Sequence, residues 1–483
     1  MLQPLKKTAN MTRTENGAAS YRTSGRDCVD LFASVGALRH ADEEEIYRRF
    51  FRAYAEDGDL AMKILFYARD VRGGLGERRV FRSILRRLAF DEPSSVLRNL
   101  PYIADYGRWD DVLVLLDTPC HMQALELMKA QLEADLAALK AGGEVSLLGK
   151  WLPSVNASNA QTAVTARRIA RHFGLSEREY RKALSALRAG IRIIENNLRV
   201  GDYGFDYSKQ PSKATLKYRK AFLRNDGERY CEYLRLVSRG ECTLHTGALL
   251  PYELVERCYD CTEEERLSLD AAWRALEDFT SDENALVVAD GSGSMYWSSR
   301  PTPAAVAQSL AIYFAERSRG AFHNCFITFS ETPCLVEIKG RDIVDKVRYC
   351  SSFDECANTD IEAVFDLILR SALENGASRE ELPARLYIIS DMEFDCCAQN
   401  ASATNFEAAA ARYAKAGYKL PELIFWNVNS RREQYPLRAS DCAAALVSGC
   451  SPRVFSMVTS GRLDPYGFML SAVDTPRYAR IAA

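Results

Sequence analysis

An apolar strand that runs directly into a loop of glycines and serines is the feature that most limits the fold of this chain. Residues 286–289 are Leu, Val, Val and Ala, a run typical of a buried parallel strand, and Asp290-Gly291-Ser292-Gly293-Ser294 follows at once. Asp290, Ser292 and Ser294 occupy alternate positions, so one loop can present three oxygens on the same side. The glycines permit the tight turn that this requires. Oxygen ligands of this kind suit Mg²⁺ or Mn²⁺.

Two stretches further along the chain supply the same chemistry. Thr359 precedes an apolar stripe at helical spacing over 361–372, which places its hydroxyl in a loop at a helix N-terminus. Residues 386–390 form a second apolar strand that ends at Asp391. Because the carboxyl ends of parallel strands meet at one edge of a doubly wound sheet, these groups should converge on the first loop. The predicted metal ligands are Asp290, Ser292, Ser294, Thr359 and Asp391.

The order Asp-x-Ser-x-Ser, then Thr, then Asp resembles the metal-ion-dependent adhesion site of von Willebrand factor A (vWA) domains. The resemblance implies that Ser292, Ser294 and Thr359 hold the cation directly or nearly so. It also implies that Asp290 and Asp391 lie close by and hold waters or the metal itself, and that a carboxylate from a protein partner completes the coordination. The alternative interpretation of the first loop is a Gly/Ser turn without function.

Hydrophobic spacing divides the chain into three parts. Residues 1–26 are polar and predict a loosely packed arm. Residues 27–283 carry apolar stripes at helical spacing and predict a domain of stacked, HEAT-like α-helical repeats. The longest stripe covers 180–198. From 284 to 483, strands and helices alternate, which predicts an α/β domain with a doubly wound, mostly parallel, Rossmann-like sheet.

The composition is that of a soluble globular protein. The chain has 483 residues, of which 47% are hydrophobic and 27% charged. No apolar run approaches the roughly 18 residues of a membrane span, and no signal peptide is evident. We therefore expect a cytoplasmic protein without membrane contact and with reduced cysteines. Cys258 and Cys261 alone have zinc-like spacing, and without a second pair they do not predict a zinc site.

Positive charge is concentrated in two stretches, 63–87 and 150–240. The second contains 19 basic and 8 acidic residues, a net charge of +11, whereas 241–283 contains 3 basic and 12 acidic residues. Such segregation indicates an anionic partner, most commonly a nucleic acid, although a solvated basic helix face is the alternative. The candidate RNA-binding residues are Arg69, Arg72, Arg78, Arg79, Lys150, Arg167, Arg168, Arg171, Lys213 and Lys217.

A second resemblance extends over almost the whole chain. It rests on residues 66–78 (Phe-Tyr-Ala-Arg-Asp-Val-Arg-Gly-Gly-Leu-Gly-Glu-Arg), 150–154 (Lys-Trp-Leu-Pro-Ser), Pro211-Ser212 and 290–295 (Asp-Gly-Ser-Gly-Ser-Met). These motifs, in this order, look like a family of intracellular proteins related to the Ro autoantigen. Ro proteins join a helical TROVE ring to a vWA domain. The resemblance implies binding of small or misfolded non-coding RNA by the helical domain, but no local motif matches Ro's RNA contacts.

Three functions are compatible with these features. The first is a Ro-like RNA-binding scaffold with a metal site for partner recognition, and the second is a metal-dependent protein-binding module without RNA. The third is a nuclease or phosphatase in which Asp290, Asp391 and Glu393 hold a metal that activates water. The five histidines are widely scattered and no Gly-x-Ser-x-Gly elbow occurs. We therefore expect no enzymatic activity.

Overall fold

The structure is a computed structural model that describes residues 2–191, 193–296, 300–329, 332–353, 360–395, 405–457 and 463–483. Helices dominate the chain as far as residue 274, with strands β1 (Met11–Arg13) and β2 (Ala19–Tyr21) near the N-terminus. The helices of this region are α1 (Leu2–Asn10), α2 (Asp27–Val35), α3 (Glu43–Glu56), α4 (Gly58–Arg69), α5 (Arg79–Asp91), α6 (Pro93–Asn99), α7 (Ile103–Tyr106), α8 (Trp109–Val112), α9 (His121–Lys140), α10 (Leu148–Trp151), α11 (Ala160–His172), α12 (Glu177–Gly190), α13 (Ile194–Arg199), α14 (Ser212–Ser238), α15 (Pro251–Cys258) and α16 (Glu263–Arg274).

The C-terminal region alternates strands with helices. Its strands are β3 (Ala285–Asp290), β4 (Cys325–Phe329), β5 (Leu335–Glu337), β6 (Arg385–Ser390), β7 (Glu422–Asn427) and β8 (Ala444–Ser448). Its helices are α17 (Pro303–Arg317), α18 (Ile343–Ser351), α19 (Ile361–Asn375), α20 (Asn405–Lys415), α21 (Val454–Met457) and α22 (Pro465–Val473). The prediction of a mostly helical N-terminal region followed by an α/β region is confirmed.

The described residues of the α/β region form a six-stranded sheet in the order β5-β4-β3-β6-β7-β8. All neighbouring strands are parallel except β4 and β5, which form an antiparallel pair. Strand β3 pairs with β4 on one side and with β6 on the other, so the order of the strands reverses there. The carboxyl ends of β3 and β6 therefore flank a topological switch point, the usual position of ligand sites in open α/β sheets.

The predicted helical stripe over 180–198 is divided between two helices. Helix α12 begins with a capping box, in which Ser176 and Glu179 bond each other's backbone N–H groups, and it ends at Gly190. Glycine is a poor helix former, and here it also allows a close helix contact. A Cβ atom at Gly190 would lie 2.6 Å from Leu139 Cδ1 on α9. Helix α13 starts separately at Ile194.

The polar N-terminal segment is packed against the α/β region, which differs from the loose arm that its composition predicts. Thr14, Ser20 and Tyr21 are all buried. The Tyr21 N–H donates to the Tyr435 carbonyl, and the Tyr435 N–H donates to the Tyr21 carbonyl, each at 2.9 Å. The Thr14 hydroxyl donates to the Phe394 carbonyl. Polar side chains can be buried in this way because their hydrogen bonds go to backbone groups of the α/β region.

Residues near each end of the chain pack against the region formed by the other end. Helix α2, which the sequence places with the helical repeats, packs against β7 and β8 of the sheet. In the opposite direction, the C-terminal tail reaches Asp70, which follows α4. The fully buried Asp70 carboxylate accepts hydrogen bonds from the Arg477 guanidinium and, at 3.0 Å, from the Tyr478 hydroxyl. Each region therefore contains packing that depends on the other.

Within the described part of the chain, every helix is too short or too polar to cross a bilayer. The cysteines that the structure describes are all free thiols. Burial raises the pKa of Cys28 and of Cys258, each to about 12. These two thiols therefore remain protonated near neutral pH.

Candidate metal centre

The sequence-predicted loop after β3 lies beside the end of β6, at the switch point of the sheet. Asp290 is buried, and its Oδ1 accepts a hydrogen bond from the Ser292 N–H at 2.8 Å. Its Oδ2 accepts one at 2.6 Å from the hydroxyl of Ser390, the last residue of β6. The Ser390 Oγ in turn accepts a bond from the Met392 N–H at 3.0 Å. These bonds fix the first loop relative to the residues that follow β6.

Three side-chain oxygens, two from this loop and one from Asp391, are joined in a chain of hydrogen bonds. Ser292 Oγ lies 3.1 Å from Ser294 Oγ, and the Ser294 hydroxyl donates to Asp391 Oδ2 at 2.8 Å. Neighbouring ligands of an octahedral Mg²⁺, with Mg–O distances of about 2.1 Å, are about 3.0 Å apart. Both observed oxygen–oxygen distances are close to this ligand–ligand distance. Hydroxyl and carboxylate oxygens are also the ligand types that hard divalent cations prefer, so these residues fit such a cation.

Of the five predicted ligands, the structure brings four together. Asp290, Ser292, Ser294 and Asp391 are linked by the hydrogen bonds above. Thr359 lies outside the described residues, which resume at Asp360. The part of the chain that is described contains no group of three His, Cys, Asp or Glu side chains arranged to hold a metal. The candidate centre therefore depends on the serine hydroxyls as well as on carboxylates.

The centre has an excess of buried acidic groups. Burial raises the pKa of Asp290, and the nearby Asp391 raises it further. Burial also raises the pKa of Asp391 and of Glu393, although the Arg431 guanidinium opposes both shifts. The Glu393 side chain is buried, and its Oε1 has no hydrogen-bond partner among the described residues. A divalent cation would stabilise the charged forms of these carboxyl groups.

Two functional candidates near the centre were not predicted from the sequence, Arg431 and Glu15. The Arg431 guanidinium lies 3.1 Å from Asp391 Oδ2 and 3.0 Å from Glu15 Oε2. The Glu15 N–H donates to Glu393 Oε2 at 2.6 Å, and the Asn16 side chain donates to the Glu393 carbonyl. The N-terminal segment therefore borders the centre and adds a carboxylate to it.

Backbone geometry also marks this site. Met392, between Asp391 and Glu393, has a φ of 68°, in the left-handed region that residues other than glycine seldom adopt. The conformation costs about 1–2 kcal/mol. The bonds from Met392 N–H to Ser390 and from the Gln434 side chain to the Met392 carbonyl hold it in place. Strained backbone of this kind is concentrated at functional sites.

The candidate RNA-binding residues near α4 and α5 have different environments. Arg69 is buried and forms an ion pair with Asp111 at 2.7 Å, so it does not face an external phosphate backbone. Arg72 and Arg79 are exposed and donate to backbone carbonyls, those of Asp105 and Ala41 respectively. Arg78 is exposed and forms no ion pair with any described residue. Arg78 is therefore the member of this group with a guanidinium free for a ligand.

The remaining candidates lie on α10, α11 and α14. Arg167 and Arg168 on α11 pair with Glu177 at 3.3 Å and Asp117 at 2.8 Å, and the exposed Arg171 follows them on the same helix. Lys150 lies 3.9 Å from Glu195, Lys213 pairs with Glu253, and Lys217 donates to the Tyr218 hydroxyl at 2.9 Å. Helix α11 thus presents a basic face, partly neutralised by surface carboxylates.

A small part of the charge segregation seen along the sequence is neutralised by ion pairs between the two stretches. Helix α14, from the basic stretch, packs against α16, from the acidic stretch. Arg219 and Lys220 of α14 pair with the single carboxylate of Glu265, at 2.7 and 3.3 Å. Charge that is separated by segment in the sequence is therefore not equally separated on the surface.

Two family models together match most of the chain. Residues 14–124 and 119–288, more than half of the sequence, match the model described as Domain of unknown function DUF2828. The chain belongs to the DUF2828 family. Residues 284–464 match a second model, described as Domain of unknown function DUF7788. The candidate metal centre of this DUF2828 protein includes residues of both matches, because Glu15 lies in the first, and Asp391 and Arg431 lie in the second.

Similar proteins include a viral one. Uncharacterized protein L728 of Acanthamoeba polyphaga mimivirus is 28% identical to this DUF2828 protein over 508 residues, which covers 96% of this chain and 88% of the viral protein. Among solved structures, the Ro (RSR) protein of Deinococcus radiodurans aligns with 12% sequence identity and a TM-score of 0.35. That alignment covers 92% of this chain and 93% of the Deinococcus chain.

Proposed function

We propose that this DUF2828 protein is an RNA-binding scaffold whose α/β region binds a divalent cation and recognises a carboxylate of a protein partner. The oxygen chain from Ser292 through Ser294 to Asp391 is the observation that carries the metal part of the proposal. The sequence resemblance to Ro proteins, together with the exposed arginines of the helical region, favours RNA as the anionic partner. We propose recognition rather than catalysis, in the cytoplasm, where free thiols stay reduced.

In this proposal, Ser292, Ser294 and Asp391 hold the cation, Mg²⁺ or Mn²⁺. Asp290 orients the loop through its bonds to the Ser292 N–H and the Ser390 hydroxyl, and its charge attracts the ion. A bound cation supplies a Lewis-acid position to which an external carboxylate can bind. Glu15 and Arg431 lie at the border of the centre and control which charges reach it.

Titration calorimetry with Mg²⁺ and Mn²⁺ tests the metal site. Ser294→Ala removes the oxygen in the middle of the chain and should weaken cation binding at least about tenfold, because one ligand is lost. Asp290→Ala should abolish binding. Ser352→Ala is the matched control, since the Ser352 hydroxyl is exposed and donates only to a carbonyl of its own helix. Stoichiometric Mg²⁺ binding by both site variants would show that the ligand assignment is wrong.

Charge reversal on α11 tests the RNA part. Arg167, Arg168 and Arg171 lie on one helix, and changing all three to glutamate should weaken RNA binding by a similar factor for unrelated sequences, because phosphate contacts carry little sequence information. The variant should also reduce the dependence of affinity on salt. The control is a second triple variant in which three exposed residues of the α/β region are changed to glutamate. These residues are Arg379, Lys415 and Lys419, and the change in net charge is the same. Equal RNA affinity for the two triple variants would exclude α11 as the interface.

A second candidate function is a metal-dependent protein-binding module without RNA. The pairing of Arg219 and Lys220 with Glu265 favours it, because this neutralisation reduces the basic charge that RNA would contact. A complex captured from cell extract distinguishes the two functions. Loss of the complex on RNase treatment supports the RNA-binding scaffold. A complex that resists RNase but dissociates when EDTA removes the metal supports the protein-binding module.

A further inference from the structure

A cavity of about 630 Å³ lies between the helical region and the α/β region, apart from the metal centre. Pockets of this size commonly hold small organic ligands, and they are often found where domains meet. Its walls come from distant parts of the chain, including the loop after α4, the loop before α15 and the residues after β8. The basic side chains that line it are Arg39, Arg69, Arg78, Arg108, Lys213 and Arg453.

Three of these cations are neutralised by carboxylates at or near the cavity wall. Lys213 pairs with Glu253, Arg453 lies 3.4 Å from Glu277, and Arg39 pairs with the buried Glu77. These pairs contribute little net charge to the cavity. The remaining three cations, on the side formed by α4, α5 and α8, determine its electrostatic character.

On that side, positive charge exceeds negative charge by two. The carboxylate of Asp111, which is fully buried, is shared by Arg69 and Arg82. Asp110 is shared by Arg82, at 2.7 Å, and Arg108, at 3.2 Å. Arg78 forms no ion pair with a described residue. The four arginines and two aspartates of this group therefore leave about two positive charges uncompensated.

Arg108 is compensated only in part. Its buried Nε lies 3.2 Å from Asp110 Oδ1, an ion-pair contact that does not have the geometry of a hydrogen bond. Burial, with Arg78 and Arg69 nearby, lowers the pKa of Arg108, whereas Asp110 opposes the shift. The guanidinium carbon lies 4.3 Å from the centre of the Trp151 ring, which fixes the position of the group. A phosphate in the cavity would supply a second anion for this guanidinium.

The lining of the cavity also contains apolar and aromatic side chains, those of Tyr252, Phe279, Leu249 and Leu276. The guanidinium carbon of Arg453 lies 4.5 Å from the centre of the Phe279 ring. The lining thus combines guanidinium groups with aromatic rings, the side chains that suit a phosphate and a planar base.

We propose that this cavity binds a mononucleotide, with its phosphate at Arg78 and Arg108 and its base against Phe279 and Tyr252. A phosphate monoester carries a charge of about −1.5 to −2 at pH 7, which matches the two uncompensated positive charges. Arginine is well suited to it because the guanidinium can donate two parallel hydrogen bonds to a phosphate. This site depends neither on the metal centre nor on the basic face of α11.

Titration calorimetry of the full chain with AMP, and with adenosine as the uncharged reference, tests the proposal. AMP should bind saturably with one site per chain, and adenosine should bind at least about tenfold more weakly. Arg78→Ala should weaken AMP binding at least about tenfold, the loss of one charge-assisted hydrogen bond. Arg78 is exposed, so the variant should fold normally. Arg86→Ala is the matched control, because Arg86 is exposed on α5 and does not line the cavity.

Several results would overturn this assignment. They are the absence of saturable AMP binding, equal affinities for AMP and adenosine, equal effects of the Arg78 and Arg86 substitutions, or binding of oligonucleotides alone. The triple substitution on α11 provides a separate check. It should leave AMP affinity unchanged even though it weakens RNA binding, and a parallel loss of both would show that the cavity is not an independent nucleotide site.

Discussion

Replacing Arg431 with alanine should strengthen divalent-cation binding at the proposed metal centre. The Arg431 guanidinium lies 3.1 Å from Asp391 Oδ2, and Asp391 is a proposed ligand. A cation that binds Asp391 must share the carboxylate with this guanidinium or displace it. The substitution removes the competition and also releases the Glu15 carboxylate from its ion pair with Arg431. Both effects act in the same direction, because each makes more negative charge accessible to the cation.

The size of the effect follows from distance and exposure. Two unit charges about 4 Å apart attract by about 1 kcal/mol in water and by about 4 kcal/mol at an effective dielectric constant near 20. The Arg431 side chain is 32% exposed, whereas that of Asp391 is 1% exposed. Solvent screening of the arginine favours the lower part of this range, about 1–2 kcal/mol. The variant should therefore bind Mg²⁺ about fivefold to thirtyfold more tightly.

Calorimetric titration of the full chain with Mg²⁺ measures this difference directly. Arg432→Ala is the control, because Arg432 is the adjacent exposed arginine and forms no ion pair with a described residue. It should leave the affinity within about a factor of two of the original value. If the Arg431 variant bound Mg²⁺ no more tightly than the Arg432 variant, Arg431 would not compete for Asp391, and the proposed role of this carboxylate would be refuted.

Two further predictions concern stability. Gly36→Ala places a Cβ 2.7 Å from the Gly449 backbone and should lower the free energy of unfolding by about 1–3 kcal/mol in urea titrations, whereas Gly227→Ala, with open space around it, should not lower it. Burial raises the pKa of Asp30 to about 6, so its charged form destabilises the fold at high pH. Asp30→Asn should therefore stabilise the protein at pH 8 but not at pH 4, and equal effects at both values would contradict this assignment.

Strand positions and the position of the loop after β3 could be predicted because their signals are local. The apolar runs 286–289 and 386–390 lie within β3 and β6, which are neighbours, so Asp290 and Asp391 converge as parallel topology requires. Glu15 and Arg431 could not be found in this way. Glu15 bonds to Glu393 across 378 residues, and no local pattern links a polar N-terminal segment to a distant sheet edge.

Local sequence patterns also do not predict which elements pack together or which charges form ion pairs. The helical spacing predicted for 27–283 includes α2 but does not reveal that this helix packs against β8 as well as against α3 and α4. The net charge of 150–240 is visible in the sequence, but the pairing of Arg219 and Lys220 with Glu265 depends on how α14 and α16 pack. Likewise, Arg69 belongs to a basic stretch of the sequence that indicates an exposed surface, but its side chain is buried.

The long-range docking of the N-terminal segment affects how the protein is made. Ser20 donates to the Tyr435 carbonyl across 415 residues. At about 5–20 residues per second, translation takes about 20–80 s to supply that partner. During this interval the N-terminal segment has no native surface on which to dock. Its hydrogen-bonding groups remain unpaired and can be bound by chaperones on the ribosome. Docking of the N-terminal segment therefore requires synthesis to pass Tyr435.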